Sequence, residues 1–134
     1  MRQGIQTNFK QPDLRTYGCH FFVLMKYLEV IHGIEFTDEK LSGIFEAAIE
    51  AGLMDRKCNV LDAVRLLNYV IDEERYSRYI RDLKEPPEGI CVIRLVKPGY
   101  THFLLRFNGE IWDPLTPDRP AALTYTIDSY RVIN

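Results

Sequence analysis

The sequence predicts an α+β domain in which N-terminal helices pack on a C-terminal antiparallel sheet. Three observations lead to this prediction: apolar residues recur at helical spacing in the first half, the pair Pro86-Pro87 ends that half, and β-branched residues alternate with turn motifs after it. Helices followed by a run of strands are typical of α+β proteins. A chain of 134 residues has room for one core, so we expect a single domain over 1–134, with residues 1–10 extended and loosely held.

Three helices are expected in the first half. Residues 19–32 have apolar side chains at every third or fourth position and are followed by a glycine, which commonly ends a helix. Thr37 can cap a second helix over 38–51, and Asn59 can cap a third over 60–71. The first of these helices has one apolar face, which we expect to be buried.

Two segments beside these helices are interpreted from their composition. Residues 11–18 contain proline and glycine and are interpreted as a loop that leads into the first helix. Residues 72–84 mix charges of both signs, which indicates a solvated helix face. Neither segment is assigned to the sheet.

The second half has the pattern of an antiparallel meander. Three strands are predicted, over 90–96, 101–107 and 110–113. Asn108-Gly109 lies between the last two, and this dipeptide favours a two-residue type I′ hairpin turn. The tail, 123–133, is expected to add one or two short strands around Asp128-Ser129.

The hairpin predicts a specific pair of side chains. If Asn108-Gly109 forms the turn, Leu104 lies opposite Asp113, and His102 lies diagonal to Asp113 on the same face of the two strands. Diagonal Cβ atoms of an antiparallel pair lie about 7 Å apart or less, within reach of an imidazole–carboxylate hydrogen bond. The other face is apolar enough to be a core face and contains Phe103, Leu105, Phe107 and Trp112.

Cys19 is the group that such a His–Asp pair would serve. A thiol in the first turn of a helix meets the positive end of the helix dipole, which favours the thiolate. An adjacent imidazolium would favour the thiolate further and give the ion pair that cysteine hydrolases use. The backbone N–H of Cys19 and the side-chain amide of Gln11 are candidate donors to the oxyanion of a tetrahedral intermediate.

Four short motifs together resemble the papain-like cysteine peptidase superfamily: Gln11-Pro12-Asp13, Gly18-Cys19 at a helix start, His102-Phe103 in a strand, and Trp112-Asp113-Pro114 after a hairpin. The order Gln, Cys, His, Asp is similar to that of the compact bacteriocin-processing peptidases, and the chain also resembles small uncharacterised proteins of bacterial phages and plasmids. The resemblance implies a papain-like fold and a cysteine hydrolase. It assigns the nucleophile, the base, the orienting carboxylate and an oxyanion donor to Cys19, His102, Asp113 and Gln11, in that order.

Other roles for these residues stay open. Cysteine is often buried as a small apolar residue, His102 can be a structural histidine, and Asp113 before Pro114 can start a turn. The chain would then be a papain-like binding or inhibitory module without turnover. A third possibility is an acyl transferase that uses the same triad.

The expected substrate is a peptide or another amide, such as a protein, a peptidoglycan stem peptide or an isopeptide.

No cofactor is expected. A zinc site built from Cys19, His20, His32 and Cys58 has no paired, closely spaced ligand motif to support it. Cys58 and Cys91 are expected to be packing residues. The sequence does not indicate an oligomeric state.

Composition limits the partners and the location. The net charge is −2 and the sequence pI is about 5.9, so we expect no nucleic-acid partner. No segment has the roughly 18 to 20 apolar residues of a membrane span, and residues 1–10 lack the apolar region of a secretory signal. Three cysteines without close spacing fit a reducing compartment. We therefore expect a cytoplasmic protein without a membrane partner.

Overall fold

In the computed structural model, which describes residues 1–115 and 124–134, helices lie in the N-terminal half and strands follow them. The helical elements are a 3₁₀ helix at Ile5–Asn8, α1 at Pro12–Tyr17, α2 at Cys19–His32, α3 at Asp38–Glu50 and α4 at Ala63–Ile71. The strands are β1 at Tyr79–Leu83, β2 at Cys91–Lys97, β3 at Tyr100–Phe107, β4 at Glu110–Trp112 and β5 at Thr126–Ile133. Their pairing is antiparallel throughout, which confirms the predicted α+β class.

The ends of α2 and α3 follow local sequence rules. α2 has the predicted limits, and Gly33 after it takes a left-handed conformation, with φ 67°, in which its N–H donates to the carbonyl of Glu29. α3 is capped by Thr37, whose hydroxyl accepts an N–H from the first turn of the helix at 3.1 Å. Neither end depends on distant contacts, so both could be predicted.

The predicted start of the third long helix is wrong by three residues. α4 begins at Ala63 because the carboxylate of Asp62, and not the amide of Asn59, caps it by accepting the N–H of Arg65 at 3.1 Å. Asn59 instead donates its side-chain amide to Asp55 at 2.9 Å, inside the preceding turn.

The loop expected over 11–18 is also wrong, because it contains the short helix α1. Pro12 occupies the first helical position, where its missing N–H costs nothing, and the side chain of Gln11 caps the helix. Gly18 is both the C-cap of α1 and the N-cap of α2. Two helices therefore meet at a single glycine.

The N-terminal segment packs into the core and is not extended. Ile5 and Phe9 are fully buried, and the ring of Phe9 contacts that of Phe22 edge-on at 5.0 Å between centroids. The expectation of a loosely held segment over 1–10 is therefore corrected. The segment has no periodic apolar pattern, so only its tertiary contacts reveal its place.

The sheet is a meander only in part. Its strand order is β1-β5-β2-β3-β4, so the C-terminal strand inserts between β1 and β2. β5 is one strand with an irregularity opposite Arg94 and Leu95, where one or two short strands were expected. Leu123, at which that expected segment begins, lies outside the described residues.

β1 corrects the interpretation of 72–84 as a helix face. Tyr79 pairs with Ile133 and Ile80 with Val132, at the edge of the sheet. An edge strand tolerates charged side chains because one side of it faces solvent. Mixed charge is therefore common to an exposed helix face and an edge strand, and the charge pattern could not separate them.

The helices cover one face of the sheet and form the main core with it. α2 contributes more fully buried side chains than any other helix, and β3 presents Phe103 and Leu105 to this core. Burial of each such large apolar side chain contributes about 1.5–3 kcal/mol. The opposite face has a smaller apolar cluster of Cys91, Ile93, Leu95 and Leu104. His102 alternates with Phe103 along β3, so its side chain lies on this second face.

Among the helices in the described ranges, none is both long and apolar enough to cross a membrane.

Candidate functional site

The β3–β4 hairpin has the predicted register. Phe107 pairs with Glu110, and the turn residues Asn108 and Gly109 have φ values of 50° and 74°. Positive φ at both positions is what a type I′ turn requires. β4 ends one residue before Asp113, which leaves the ladder near His102.

His102 and Asp113 form a buried hydrogen-bonded pair. Nε2 of His102 lies 2.7 Å from Oδ1 of Asp113, and the two residues are 2% and 8% exposed. A short hydrogen bond of this type, between an imidazole and a carboxylate, is about twice as strong as one between neutral groups. The contact predicted from the hairpin is confirmed, and its catalytic role stays a prediction.

Three further hydrogen bonds hold Asp113 in place. Its Oδ1 also accepts the backbone N–H of Leu115 at 2.8 Å, a local contact that aspartate often makes in turns. Its own backbone N–H donates to Oε1 of Gln3 at 3.0 Å, and its carbonyl accepts the N–H of Gly4 at 2.9 Å. The N-terminal segment therefore positions Asp113. Sequence reasoning missed this role because no local pattern connects the two ends of the chain.

The surroundings of His102 favour its protonated form. Burial has the largest single effect and by itself lowers the pKa of the imidazole. The hydrogen bond to Asp113, the hydrogen bond and charge of Cys19, and the charge of Asp113 outweigh burial and raise the pKa of His102 to about 9. At neutral pH the ring is therefore an imidazolium.

α2 brings Cys19 to His102. Cys19 is the first residue of α2 and is partly exposed, and its side chain interacts with the imidazole of His102. The next residue, His20, stacks on the ring of Phe103 at 4.0 Å between centroids and an angle of 8°. Neighbouring residues of the helix thus contact neighbouring residues of β3. Because Asp113 takes Nε2 of His102, Nδ1 is the ring nitrogen left for Cys19.

The shortness of β4 allows this approach. β4 pairs with residues 105–107 of β3 and ends before His102. The first turn of α2 and the carboxylate of Asp113 can therefore both reach the imidazole at the end of β3 that β4 does not cover.

Gly18 explains why α2 can begin beside another helix. A Cβ atom at Gly18 would lie 2.4 Å from the carbonyl oxygen of Leu14 and 3.0 Å from Cε2 of Phe22, so any side chain would force the two helices apart.

Gln11, the predicted oxyanion donor, caps α1. Its Oε1 accepts the N–H of Leu14 at 2.8 Å, and its Nε2 donates to Asp13 at 3.4 Å. The six residues of α1, about 9 Å of helix axis, lie between Gln11 and Gly18. The structure thus brings Cys19, His102 and Asp113 together and leaves Gln11 at the other end of α1.

The two remaining cysteines are buried packing residues, as expected. Cys58 belongs to the main core, its thiol donates to the carbonyl of Asp13 at 3.5 Å, and burial raises its pKa to about 12. Cys91 belongs to the second apolar cluster, and burial raises its pKa as well. Of the three cysteines, Cys19 is therefore the one that is not buried.

Two large cavities lie away from this site. One of about 440 Å³ runs beside α4, and one of about 560 Å³ lies next to the β3–β4 hairpin. Neither is lined by Cys19, His102 or Asp113. Within the described residues, no group of three or more His, Cys, Asp or Glu side chains is arranged to hold a metal ion.

Comparison with known proteins gives a family and no activity. A family model matches the chain over residues 1–134, and its description is a protein of unknown function, DUF261. No curated protein matches the chain, and no solved structure matches it. A function therefore has to be argued from the geometry of the site.

Proposed function

The chain belongs to the DUF261 family, which has no assigned function, and we propose that it is a cysteine hydrolase that cleaves amide bonds with Cys19, His102 and Asp113. The observation that supports this most directly is the buried hydrogen bond of 2.7 Å between His102 and Asp113, with the side chain of Cys19 acting on the same imidazole. A nucleophile, a base and a group that orients the base are the parts that covalent catalysis requires.

The proposed reaction uses the two ring nitrogens of His102 for different purposes. Nε2 stays bonded to Asp113, which holds the ring and stabilises its positive charge. The thiolate of Cys19 attacks the amide carbonyl, and the imidazolium passes its Nδ1 proton to the leaving amine. A water molecule, deprotonated by His102, then hydrolyses the thioester and releases the carboxylate. Because the amine needs the imidazolium proton, hydrolysis should decline as the pH rises through about 9.

The proposed oxyanion donors have less support than the three residues Cys19, His102 and Asp113. The backbone N–H of Cys19 is adjacent to the sulfur and is one candidate donor to the oxyanion. Gln11 would have to give up its capping bond to Leu14 before its amide could serve the same oxyanion. Its role in the mechanism stays a prediction.

The order of the parts supports a papain-like relationship. A cysteine at the start of α2, a histidine on β3 and an aspartate after the following hairpin correspond to the motifs of that superfamily. We accordingly propose a peptide, a peptidoglycan stem peptide or an isopeptide as the substrate class.

Alkylation by iodoacetamide at pH 6 tests the site without a known substrate. Selective labelling of Cys19 would not be enough, since burial alone protects Cys58 and Cys91. The informative comparison is the rate at Cys19, mapped by mass spectrometry, in the wild type and in His102→Asn. We expect a drop of at least about tenfold, because loss of the imidazolium removes the charge that stabilises the thiolate.

A matched control is His32→Asn. His32 is a half-buried histidine at the end of α2 that hydrogen-bonds to Tyr76 and is not one of the three residues Cys19, His102 and Asp113. This variant should keep the wild-type rate. Equal alkylation rates in the wild type and in His102→Asn at pH 6 would mean that His102 does not form an ion pair with Cys19. That result would contradict the proposal.

Turnover is tested separately with a peptide mixture in ¹⁸O water and Cys19→Ala as the control. Incorporation of ¹⁸O into new carboxyl groups by the wild type alone identifies a hydrolase. New amides with an added amine identify an acyl transferase. No product in either form, with the alkylation result intact, identifies a binding module that retains the triad without turnover.

We also propose a cytoplasmic location. All three cysteines are free in the structure, and free thiols persist in a reducing compartment. Fractionation of the producing cells, with an antibody against the chain, checks this.

A further inference from the structure

A third cavity, of about 270 Å³, lies between the start of α4, the edge strand β1 and β5. This volume is close to the lower end of the range for small-ligand pockets, about 300–1,000 Å³. Its polar lining includes His20, Tyr79, Arg81 and Arg131, and Asp62 supplies its acidic group. None of these residues belongs to the Cys19 trio.

The positive charges of this cavity lack carboxylate partners within the described parts of the chain. Arg94, the third nearby arginine, pairs with Asp128 at 2.8 Å, whereas neither Arg81 nor Arg131 has an ion pair there. The carboxylate of Asp62 accepts the N–H of Arg65 as the cap of α4. The cavity therefore has an excess of positive charge.

Arg131 also has an unused hydrogen-bond donor. Its Nε is buried and has no acceptor in the described residues. Its guanidinium lies over two rings, with the central carbon 5.6 Å from the centroid of Tyr79 and 5.2 Å from that of Phe103. The two rings attract the guanidinium and hold it in position, but they do not supply the oxygen or nitrogen acceptor that Nε lacks. A buried donor without an acceptor is costly, and an oxyanion in the cavity would satisfy it.

His20 and Tyr79 complete a fixed polar wall. Nε2 of His20 lies 2.9 Å from the hydroxyl of Tyr79, and the imidazole stacks on Phe103. Burial first, and then the charges of Arg131, Arg81 and Arg94, lower the pKa of His20 to about 3, so this histidine is neutral. Burial raises the pKa of Tyr79 to about 12, so its hydroxyl keeps its proton. The positive charge of the wall thus comes from the arginines.

We propose that this cavity is a binding site for a small oxyanion, either a carboxylate or a phosphate, held by Arg131 and Arg81. Guanidinium groups bind both kinds of oxyanion through pairs of N–H donors. Asp62, Ala63 and Val64 at the start of α4 also line the cavity, and the N-terminus of a helix favours negative charge. The site does not depend on the proposed chemistry of Cys19.

The test is a titration of the full chain with inorganic phosphate and, separately, with succinate at constant ionic strength set by sodium chloride. Binding is followed by the ring resonances of Tyr79 in NMR and by the rise of Tm with ligand concentration. We expect saturable binding of at least one probe, and the one that binds more tightly identifies a phosphate or a carboxylate site.

Arg131→Gln should weaken the apparent affinity at least about tenfold, since each charge-assisted hydrogen bond has an effect of this size. Arg81→Gln is the second variant, because its exposed side chain can be changed without disturbing the core. Arg78→Gln removes the same charge from an exposed position that does not line the cavity, and should bind as the wild type does.

Three results would overturn the proposal. These are the absence of saturation with both probes, an unchanged affinity in both Arg131→Gln and Arg81→Gln, and an equal loss in Arg78→Gln, which would reduce the effect to net charge.

Discussion

The side-chain carbonyl of Gln3 accepts the backbone N–H of Asp113 at 3.0 Å, across 110 positions of the sequence. Together with the N–H of Gly4 on the Asp113 carbonyl, this bond ties both backbone groups of Asp113 to the N-terminal segment. The carboxylate is then left to serve His102 and the N–H of Leu115. The segment before α1 is therefore a support for the site as well as a part of the core.

Gln3→Ala should release the backbone of Asp113 and lower the stability of the fold only slightly. We expect the free energy of unfolding in urea to fall by about 1 kcal/mol, the usual effect of one lost hydrogen bond. The alkylation rate of Cys19 at pH 6 should fall as well, because Asp113 orients His102. Lys10→Ala, at an exposed position of the same segment, serves as the control and should change neither quantity. Unaltered alkylation in Gln3→Ala would mean that Asp113 keeps its position without this bond.

Asp113→Asn should lower the pKa of His102. The hydrogen bond and charge of Asp113 raise this pKa, whereas burial, which lowers it, stays in the variant. We expect the midpoint to fall from about 9 by roughly 1–3 units, the usual effect of removing a close opposite charge. NMR titration of the His102 ring proton measures it directly, with exposed Asp82→Asn as a control of equal charge change. A midpoint that stays near 9 would assign the shift to another group.

The sequence predicts elements whose causes are local and fails where the cause is tertiary. The Asn108-Gly109 turn and the alternation of side chains along two strands are local, so the register and the His102–Asp113 contact could be worked out. The insertion of β5 between β1 and β2 depends on which strand edge is free after the helices pack. No pattern within the C-terminal segment indicates that choice.

In the candidate site, too, local features could be predicted from the sequence and tertiary contacts could not. Cys19 is recognisable as a helix start, but its contact with His102 requires that α2 lie on the end of β3 that β4 leaves uncovered. That arrangement depends on the length of β4 and on the stacking of His20 on Phe103. The functions of Gln3 and Gly4 depend on contacts across the whole chain, and no spacing rule could have found them.

Gly18→Ala should destabilise the protein, although alanine is the better helix former. The added Cβ would meet the Leu14 carbonyl at 2.4 Å, so α1 and α2 must separate, at a cost of about 1–3 kcal/mol. Gly43→Ala in the exposed part of α3 is the matched control, since nothing lies within 4 Å of its Cβ. That change should stabilise by about 0.5–1 kcal/mol. Urea unfolding measures the change in the free energy of unfolding for both variants. A change of the same sign in Gly18→Ala and Gly43→Ala would contradict the steric argument.

Acid should destabilise the protein through His20. The pKa of this histidine is lowered to about 3 in the folded state, against about 6.5 when unfolded. Its contribution to stability is therefore complete above pH 6.5 and is lost as the pH falls toward 3, because the unfolded chain binds the proton first. Between pH 6.5 and pH 4.5 this loss amounts to about 2 kcal/mol.

The variant His20→Phe isolates this contribution, because phenylalanine keeps the stacking on Phe103 and cannot take up a proton. Urea unfolding at pH 7 and pH 4.5, in a buffer without phosphate or carboxylate, should show a loss of free energy about 2 kcal/mol smaller in His20→Phe than in the wild type. His32→Phe serves as the control, since it makes the same chemical change at the other end of α2. If the free energy of unfolding falls equally in the wild type and in His20→Phe over this interval, the folded state takes up the His20 proton as readily as the unfolded state does. That result would contradict a neutral His20 beside the arginines.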